Sequence, residues 1–362
     1  MSKNMIIGLG NTGHNIVKVI KRRNTLNDVV LYAIDSIVNS DITIDNIGDI
    51  EYIPIVSDDK NGSGRDRNRG CAMYEYHESN GAFDKMYEIA TESKAPVIVV
   101  SSAAGGTGSG SIVPCCKSLI NKGVQVIPVI VCPNKDDPDA YHLNTNDLMI
   151  ELSEAGIETY NIFRNSRGDA DYTPINEEIV DMIEIIFGKR YPNTTLDSID
   201  DSDLDVILNT PGRFMAVTAK AGDIQSLKKE ITRRVFSGFQ PVWSNEDSES
   251  STFMTAYSLT SMFARQDFKT VFEEINSRIK HVYDEYRNIC DSDNNGVCEA
   301  TIIVAGLPRA DIKIIDGEYN MATNIAAGMN RSKRPSFTNR KKASVVDTKS
   351  ADGNVIKKFN WK

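Results

Sequence analysis

Two stretches place glycine and small hydroxyl residues directly behind apolar runs. In IIGLGNTGHN, residues 6–15, Gly8-x-Gly10-x-x-Gly13 follows Met5, Ile6 and Ile7. In PVIVVSSAAGGTGSGSIVPCCKSLI, residues 96–120, Ala104 and Gly105-Gly106-Thr107-Gly108-Ser109-Gly110 follow Val97 to Val100. Glycines permit a tight turn and close backbone approach, so that successive N–H groups can surround a phosphate while hydroxyls add hydrogen bonds. No Gly-Lys-Ser/Thr ending is present, so this is not a Walker loop. Phosphate charge must be met by backbone dipoles and a metal. A third cluster, Asp200-Asp201-Ser202-Asp203, is acidic and taken alone reads as a solvated turn or helix cap.

Alone, the first stretch fits a dinucleotide site, with Asp35 at the end of LYAID as a ribose partner. An NAD-dependent oxidoreductase built on Gly8, Gly10, Gly13 and Asp35 gives no account of residues 105–110, and no catalytic constellation stands out among His14, His77, His142 and His281.

The elements that must hold these loops alternate. Apolar runs at 5–7, 29–34, 51–56, 96–101 and 124–132 read as buried strands, and amphipathic segments near 13–23, 80–92, 110–121 and 143–155 read as helices, with Pro114 in the first turn of its helix. This pattern predicts a Rossmann-like parallel sheet covered on both faces, over residues 1–173. A central helix follows over 174–188, with Pro174 at its start, Ile175, Ile179, Met182, Ile183 and Ile186 on one face, and Gly188 as its cap. Residues 189–328 read as a smaller α+β domain, with helices near 203–215, 223–236 and 267–289 and strands at 253–259 and 299–307.

The 362 residues are 40% hydrophobic and 25% charged, as suits a globular protein. No run of eighteen apolar residues and no signal-peptide pattern is present, which predicts a cytoplasmic protein without a membrane partner. Six cysteines without a CxxC pair read as reduced and structural. The net charge of −9 divides into +8 from Arg331 onward and −17 before it. From 329 the chain is polar, basic and poor in aromatics, which predicts a partly disordered arm for an acidic partner.

The run Gly105 to Gly110, clamped between a strand and a helix, resembles the GGGTGSG signature of the tubulin and FtsZ superfamily. Other positions match in order. Gly8 to Asn15, with Gly10, Asn11, Thr12 and Asn15, is similar to the first nucleotide loop GxGGGGxN, and Gly62, Gly64 and Gly70 match the γ-phosphate loop GAGGNPxxG. Pro133 to Asp139, including Asp137, occupies the place of the ribose loop; Asn165 and Asn176 (or Glu178) fall where the family reads guanine. Asp200 and Asp203 supply the DxxD of the loop NxDxxD, with serine at 198 in place of the asparagine, and LDVILNTPGRFMAVTA resembles the helix after it, with Gly212 and Met215 in register.

The resemblance implies binding of GTP or GDP with Mg²⁺ and head-to-tail self-assembly, with hydrolysis completed by Asp200 and Asp203 of the neighbouring subunit. The basic tail and the altered acidic loop look most like the TubZ group, filaments that segregate plasmid and phage DNA, whose C-terminal region binds a DNA-bound adaptor. A cell-division-type filament and a non-hydrolysing structural filament are the alternatives.

Overall fold

The computed structural model describes residues 4–26, 28–36, 50–57, 62–93, 95–134, 137–164, 171–187, 201–240, 253–260, 273, 282–290, 298–307, 344–349 and 355–360. The chain opens β1 (Asn4–Leu9), α1 (Gly10–Arg23), β2 (Val29–Asp35), β3 (Ile50–Pro54), α2 (Arg67–Ser79), α3 (Asp84–Thr91), β4 (Val97–Ser102), α4 (Thr107–Asn121), β5 (Val126–Cys132), α5 (Asp139–Glu154) and β6 (Thr159–Arg164). It continues α6 (Thr173–Ile186), α7 (Asp201–Asn209), β7 (Gly212–Ala221), α8 (Ile224–Ser237), β8 (Phe253–Thr260), β9 (Val282–Cys290), β10 (Cys298–Leu307), β11 (Ser344–Lys349) and β12 (Val355–Asn360).

Ten strands form one sheet in the order β3-β2-β1-β4-β5-β6-β7-β10-β8-β9. The first seven run parallel, and β10 is antiparallel to both β7 and β8. This is an α/β fold whose first six strands have the doubly wound order in which a ligand crevice opens between the first and fourth strands.

The strands bury both faces, and their alternation divides the core in two. Ile6, Leu31, Ala33, Ile98 and Val100 pack with Ile16, Val17 and Ile20 of α1 and with Ile179, Met182, Ile183 and Ile186 of α6. Met5, Ile7, Leu9, Tyr32, Ile34, Val97 and Val99 face the other way, onto side chains of α2, α3, α4 and α5. The apolar stripe expected on the central helix is thus its buried face, with Pro174 in the first turn; Gly188 lies outside the described residues.

Several elements differ from the sequence pattern. Pro114 stands inside α4, because the helix begins at Thr107 and takes most of the glycine stretch into its first turn. The ring removes only the bond to the Gly110 carbonyl. Residues 203–215 are not one helix: α7 ends at Asn209, Pro211 follows, and Gly212, at φ +118°, begins a buried strand. Met215 accordingly lies in β7 rather than in a helix. A Cβ at Gly212 would sit 2.5 Å from the Leu307 carbonyl oxygen, which fixes glycine where β7 meets β10. Strand β9 occupies 282–290, where the pattern points to the end of a helix; of the stretch before it only residue 273 is described. In the basic tail β11 and β12 pair as an antiparallel hairpin, and its other residues lie outside those described.

Candidate nucleotide-binding site

Strands β1 and β4 are neighbours; β1 runs directly into α1, and β4 reaches α4 through residues 103–106. Both helices begin without a side-chain cap and without an acidic residue in the first turn. The first N–H groups of a helix have no intrahelical acceptor, so two sets of free donors and two positive dipole ends converge at the crevice. By contrast α2 is capped by its own Asp66, which accepts from Asn68 N and Arg69 N, and α8 is capped by Asp223. Side-chain caps are likewise absent from α3, α5 and α6, so what sets α1 and α4 apart is that their free N–H groups open at one crevice.

The two glycine loops touch through their backbones. Gly10 has φ +66°, and a Cβ there would lie 2.9 Å from Gly108 N; one on Gly108 would lie 2.7 Å from the Leu9 carbonyl oxygen and 2.5 Å from Ser101 Oγ. Gly105 differs, since a Cβ there would meet nothing within 4 Å. The loops therefore touch at Gly10 and Gly108, whereas at Gly105 the backbone faces open space.

A third loop closes on this pair. A Cβ at Gly106 would collide with Ser63 Oγ, and one at Gly70 with the Gly106 carbonyl oxygen. Asn144 Nδ2 of α5 donates to Arg65 O (3.1 Å) and Ala104 O (2.9 Å), joining the 62–66 loop to the 103–107 loop. Arg67 is buried, donates to Ser109 Oγ at 2.8 Å, and pairs with Glu151 through both carboxylate oxygens at 3.1 and 2.9 Å. Its charge is committed to holding α2, α4 and α5 together. Thr107 Oγ1 lies 2.6 Å from Ser36 Oγ and 2.9 Å from Ser63 Oγ. Ser36, Ser63, Asn144 and Glu151 are not singled out by the sequence patterns, although a polar position such as Asn144 turned inward on α5 is the kind of signal that marks them.

Of the expected contacts, Gly10, Thr12, Gly62, Gly64, Ala104 and residues 105–110 gather around this crevice, with Asn11 and Asn15 exposed on the first turns of α1. Pro133 is buried beyond β5, and Asp137 accepts from Asn134 N at 2.8 Å, closing its own loop. Asn176 is in the first turn of α6; its neighbour Glu177 pairs with Arg22 and Arg23 in the last turn of α1, the end away from Gly10. Tyr172, the residue before α6, lies within electrostatic range of Asp137 and Tyr141 beyond the carboxyl end of β5, the crevice end of the sheet. Asn165 and Asp200 lie outside the described residues. Asp35 is buried and accepts from Ser36 N at 2.7 Å, so its carboxylate fixes the turn after β2. His14 is buried beside the Tyr52 ring, and burial followed by the charge of Lys18 lowers its pKa to about 4.

The acidic segment belongs to the opposite end of the sheet. Asn209, at the end of α7, accepts from Gln125 just before β5, and Gly212 N donates to Glu158 O just before β6. The glycine loops follow the carboxyl ends of β1 and β4 in the same parallel sheet, about 20 Å along the strand direction for strands of six or seven residues. Half-buried Asp203 is six residues, or about 9 Å of helix, from Asn209.

Residues 65–315 match a family described as tubulin like. The chain belongs to the tubulin-like family. Tubulin-like structures agree with the fold over nearly all of it: a GTPγS-bound protofilament of CetZ2 from Haloferax volcanii is 17% identical, with a TM-score of 0.70, covering 90% of this chain and 99% of that one. A GTPγS-form protofilament of TubZ from Bacillus thuringiensis serovar israelensis gives 16%, 0.67, 90% and 92%. TubZ of Clostridium botulinum phage c-st gives 13%, 0.66, 91% and 98%. No curated relative matches the sequence. This tubulin-like chain is thus a member of the tubulin/FtsZ superfamily, with CetZ, FtsZ and TubZ all sharing its fold. Among its described residues no helix is long and apolar enough to cross a membrane.

Proposed function

We propose that this protein binds GTP at the crevice between β1 and β4, assembles head to tail, and hydrolyses GTP at each subunit contact. The observation that carries this reading is the separation of its parts. Uncapped helix termini lie at one end of the parallel sheet and the acidic segment around Asp203 at the other, so one subunit cannot bring them together. Stacking subunits end to end does so, and such a heterologous contact repeats into a filament. The N–H groups of α1 and α4 would bind phosphate oxygens and stabilise charge that builds on them during transfer. Asp200 and Asp203 of the adjoining subunit would orient and polarise the attacking water.

The crevice fits a nucleotide phosphate chain: it offers backbone donors, hydroxyls and the open space at Gly105. Among the described residues no group of three or more His, Cys, Asp or Glu forms a metal site. A magnesium ion accompanying the nucleotide would be held chiefly by phosphate oxygens, with hydroxyls such as that of Thr107 beside them, and would supply neutralisation of charge.

The +8 tail suits an acidic partner, and the proposed cargo is plasmid or phage DNA reached through a DNA-bound adaptor. The TubZ likenesses support this reading, although CetZ shares the fold equally. One experiment tests the scheme: purified protein is given GTP while light scattering and phosphate release are followed together. Turnover per subunit should rise with protein concentration. Asp200→Ala and Asp203→Ala should bind GTP and hold stable filaments without releasing phosphate; wild-type turnover in either variant overturns the assignment. A chain ending at residue 330 should polymerise normally but lose the DNA–adaptor complex.

A further inference from the structure

Charge is placed unevenly along the chain. Between Arg23 and Lys60 stand Asp28, Asp35, Asp41, Asp45, Asp49, Glu51, Asp58 and Asp59, with no Lys, Arg or His among them, so the stretch sums to −8. It contains β2 and β3, and β3 is the last strand at one side of the ten-strand sheet. Asp28 and Glu51 are exposed, and Lys85 Nζ pairs with Glu51 Oε1 at 2.8 Å, a surface pair that contributes little.

The outer side of β3 is open backbone. Ile55 N donates to Asp35 O at 2.9 Å, across to β2, and the two strands pair in parallel from Leu31–Ile50 to Asp35–Pro54. Alternate residues of a strand bond to the same neighbour, so Glu51 and Ile53 turn to β2 with Ile55. The N–H groups of Ile50 and Tyr52 and the carbonyls of Ile50, Tyr52 and Pro54 therefore point outward. Pro54, with no N–H to offer, falls on that outward side, as proline does on an edge strand.

The tail supplies the opposite charge in a form that can use such an edge. β11 and β12 pair with each other and with no other described strand. A two-stranded hairpin is marginally stable in water and gains from a third strand. β12 carries Lys357 and Lys358 and no acid, within a tail that sums to +8 from Arg331 onward. Residues 308–343 join β10 to the hairpin and, extended, reach on the order of 100 Å, against roughly 45 Å for the width of ten strands. In one chain the β3 edge and the hairpin edges stay unpaired among the described strands, and a second copy brings them together.

We propose that β12 of one chain adds to the β3 edge of a second copy, main chain to main chain, with Lys357 and Lys358 set against the acidic stretch around Glu51. Because β3 is a side of the sheet rather than an end of its strands, the contact is lateral. It is separate from the end-to-end contact of the nucleotide scheme. An acidic partner of the tail competes with it for the same strand.

The test is sedimentation equilibrium of the full chain without nucleotide, which reads this contact apart from the nucleotide scheme. In low salt the wild-type mass should rise with concentration beyond the monomer. At about 1 M salt, where the screening length is about 3 Å, association should weaken at least tenfold. Glu51→Lys, and separately Lys357→Glu with Lys358→Glu, should each weaken association by about tenfold or more, since like charges then meet across the contact. The three changes together should restore it. Ile356→Pro leaves the charge unchanged but removes a backbone donor from β12, and it too should lose the association. A monomeric wild type, charge variants or Ile356→Pro that associate as the wild type does, or a combined variant that fails to recover, overturns the proposal. So does protection of β12 amides in hydrogen exchange at every protein concentration without a rise in mass, the sign of a hairpin seated on its own β3. Absence of phosphate release from GTP in all of these proteins counts against the nucleotide reading alone.

Discussion

A methyl group at Gly10 would meet the backbone of the facing glycine loop. The residue is left-handed, which costs an alanine about 1–2 kcal/mol, and the new carbon would stand 2.9 Å from Gly108 N. Gly10→Ala should therefore push the two loops apart, abolish GTP binding measured by calorimetry, and leave the far-UV spectrum unchanged; retained affinity would show that the loop contact does not shape the site. His14, four residues on, offers a second test. Its folded pKa, about 4, is below the ordinary value of 6.5, so between these values the unfolded chain binds the proton and the folded chain does not. Stability contributed by the neutral ring is complete above pH 6.5 and is lost as pH falls toward 4, by about 3 kcal/mol at most. Urea melts across this window should show that slope, and His14→Gln should flatten it. The glycines are legible in sequence because backbone approach tolerates no other residue; Ser36 and Asn144 are not, because a buried hydroxyl or amide acquires its role only from the loops folded around it.

Glycine-bounded apolar runs find the parallel strands β1, β2, β4 and β5 within a residue or two, because strands buried on both faces must be continuously apolar. The same rule passes over β6 and reads β7 as helix. TYNIFR alternates polar and apolar residues over a short span, and RFMAVTA follows an amphipathic helix closely enough to seem its continuation. What joins these two strands is also invisible to periodicity. They pair directly only at Thr159–Gly212 and Tyr160–Arg213, and beyond that the buried Gln240 side chain bridges them. Its Oε1 accepts from Ala216 N and Asn161 Nδ2 at 3.0 Å each, while its Nε2 donates to Ala216 O at 2.8 Å and Glu178 Oε1 at 3.3 Å. One amide thus stands in for a peptide group between β6 and β7 and ties both to α6. Gln240→Leu would keep the volume and strand four partners, each buried polar group left unpaired costing about 1–3 kcal/mol. Its thermal midpoint should fall well below that of the wild type, and hydrogen exchange should rise first at Ala216 and along β7. Loss of protection elsewhere with β7 unchanged would deny Gln240 this bridging role.

Across the whole molecule, the proposed function divides between the two ends of one sheet, and this division can be tested without seeing a filament. Gly10→Ala removes the nucleotide crevice but leaves the acidic end intact; Asp203→Ala does the reverse. Each variant alone should release no phosphate from GTP. Mixed, they form contacts in which the acidic end of a Gly10→Ala subunit meets the crevice of an Asp203→Ala subunit, and phosphate release should reappear. Turnover should rise with the concentration of the minority partner and disappear in salt that breaks longitudinal contacts. If both functions instead resided in one subunit, no mixing ratio could rescue them, because neither chain would possess a complete site; an inactive mixture in which both variants co-sediment would therefore eliminate hydrolysis in trans. The sequence places glycine loops and carboxylates in the order this scheme needs, but the separation of the loops from the acidic segment, at opposite ends of the strands, is a property of the folded sheet. In the proposed scheme that separation, rather than the residues themselves, makes assembly a condition of chemistry.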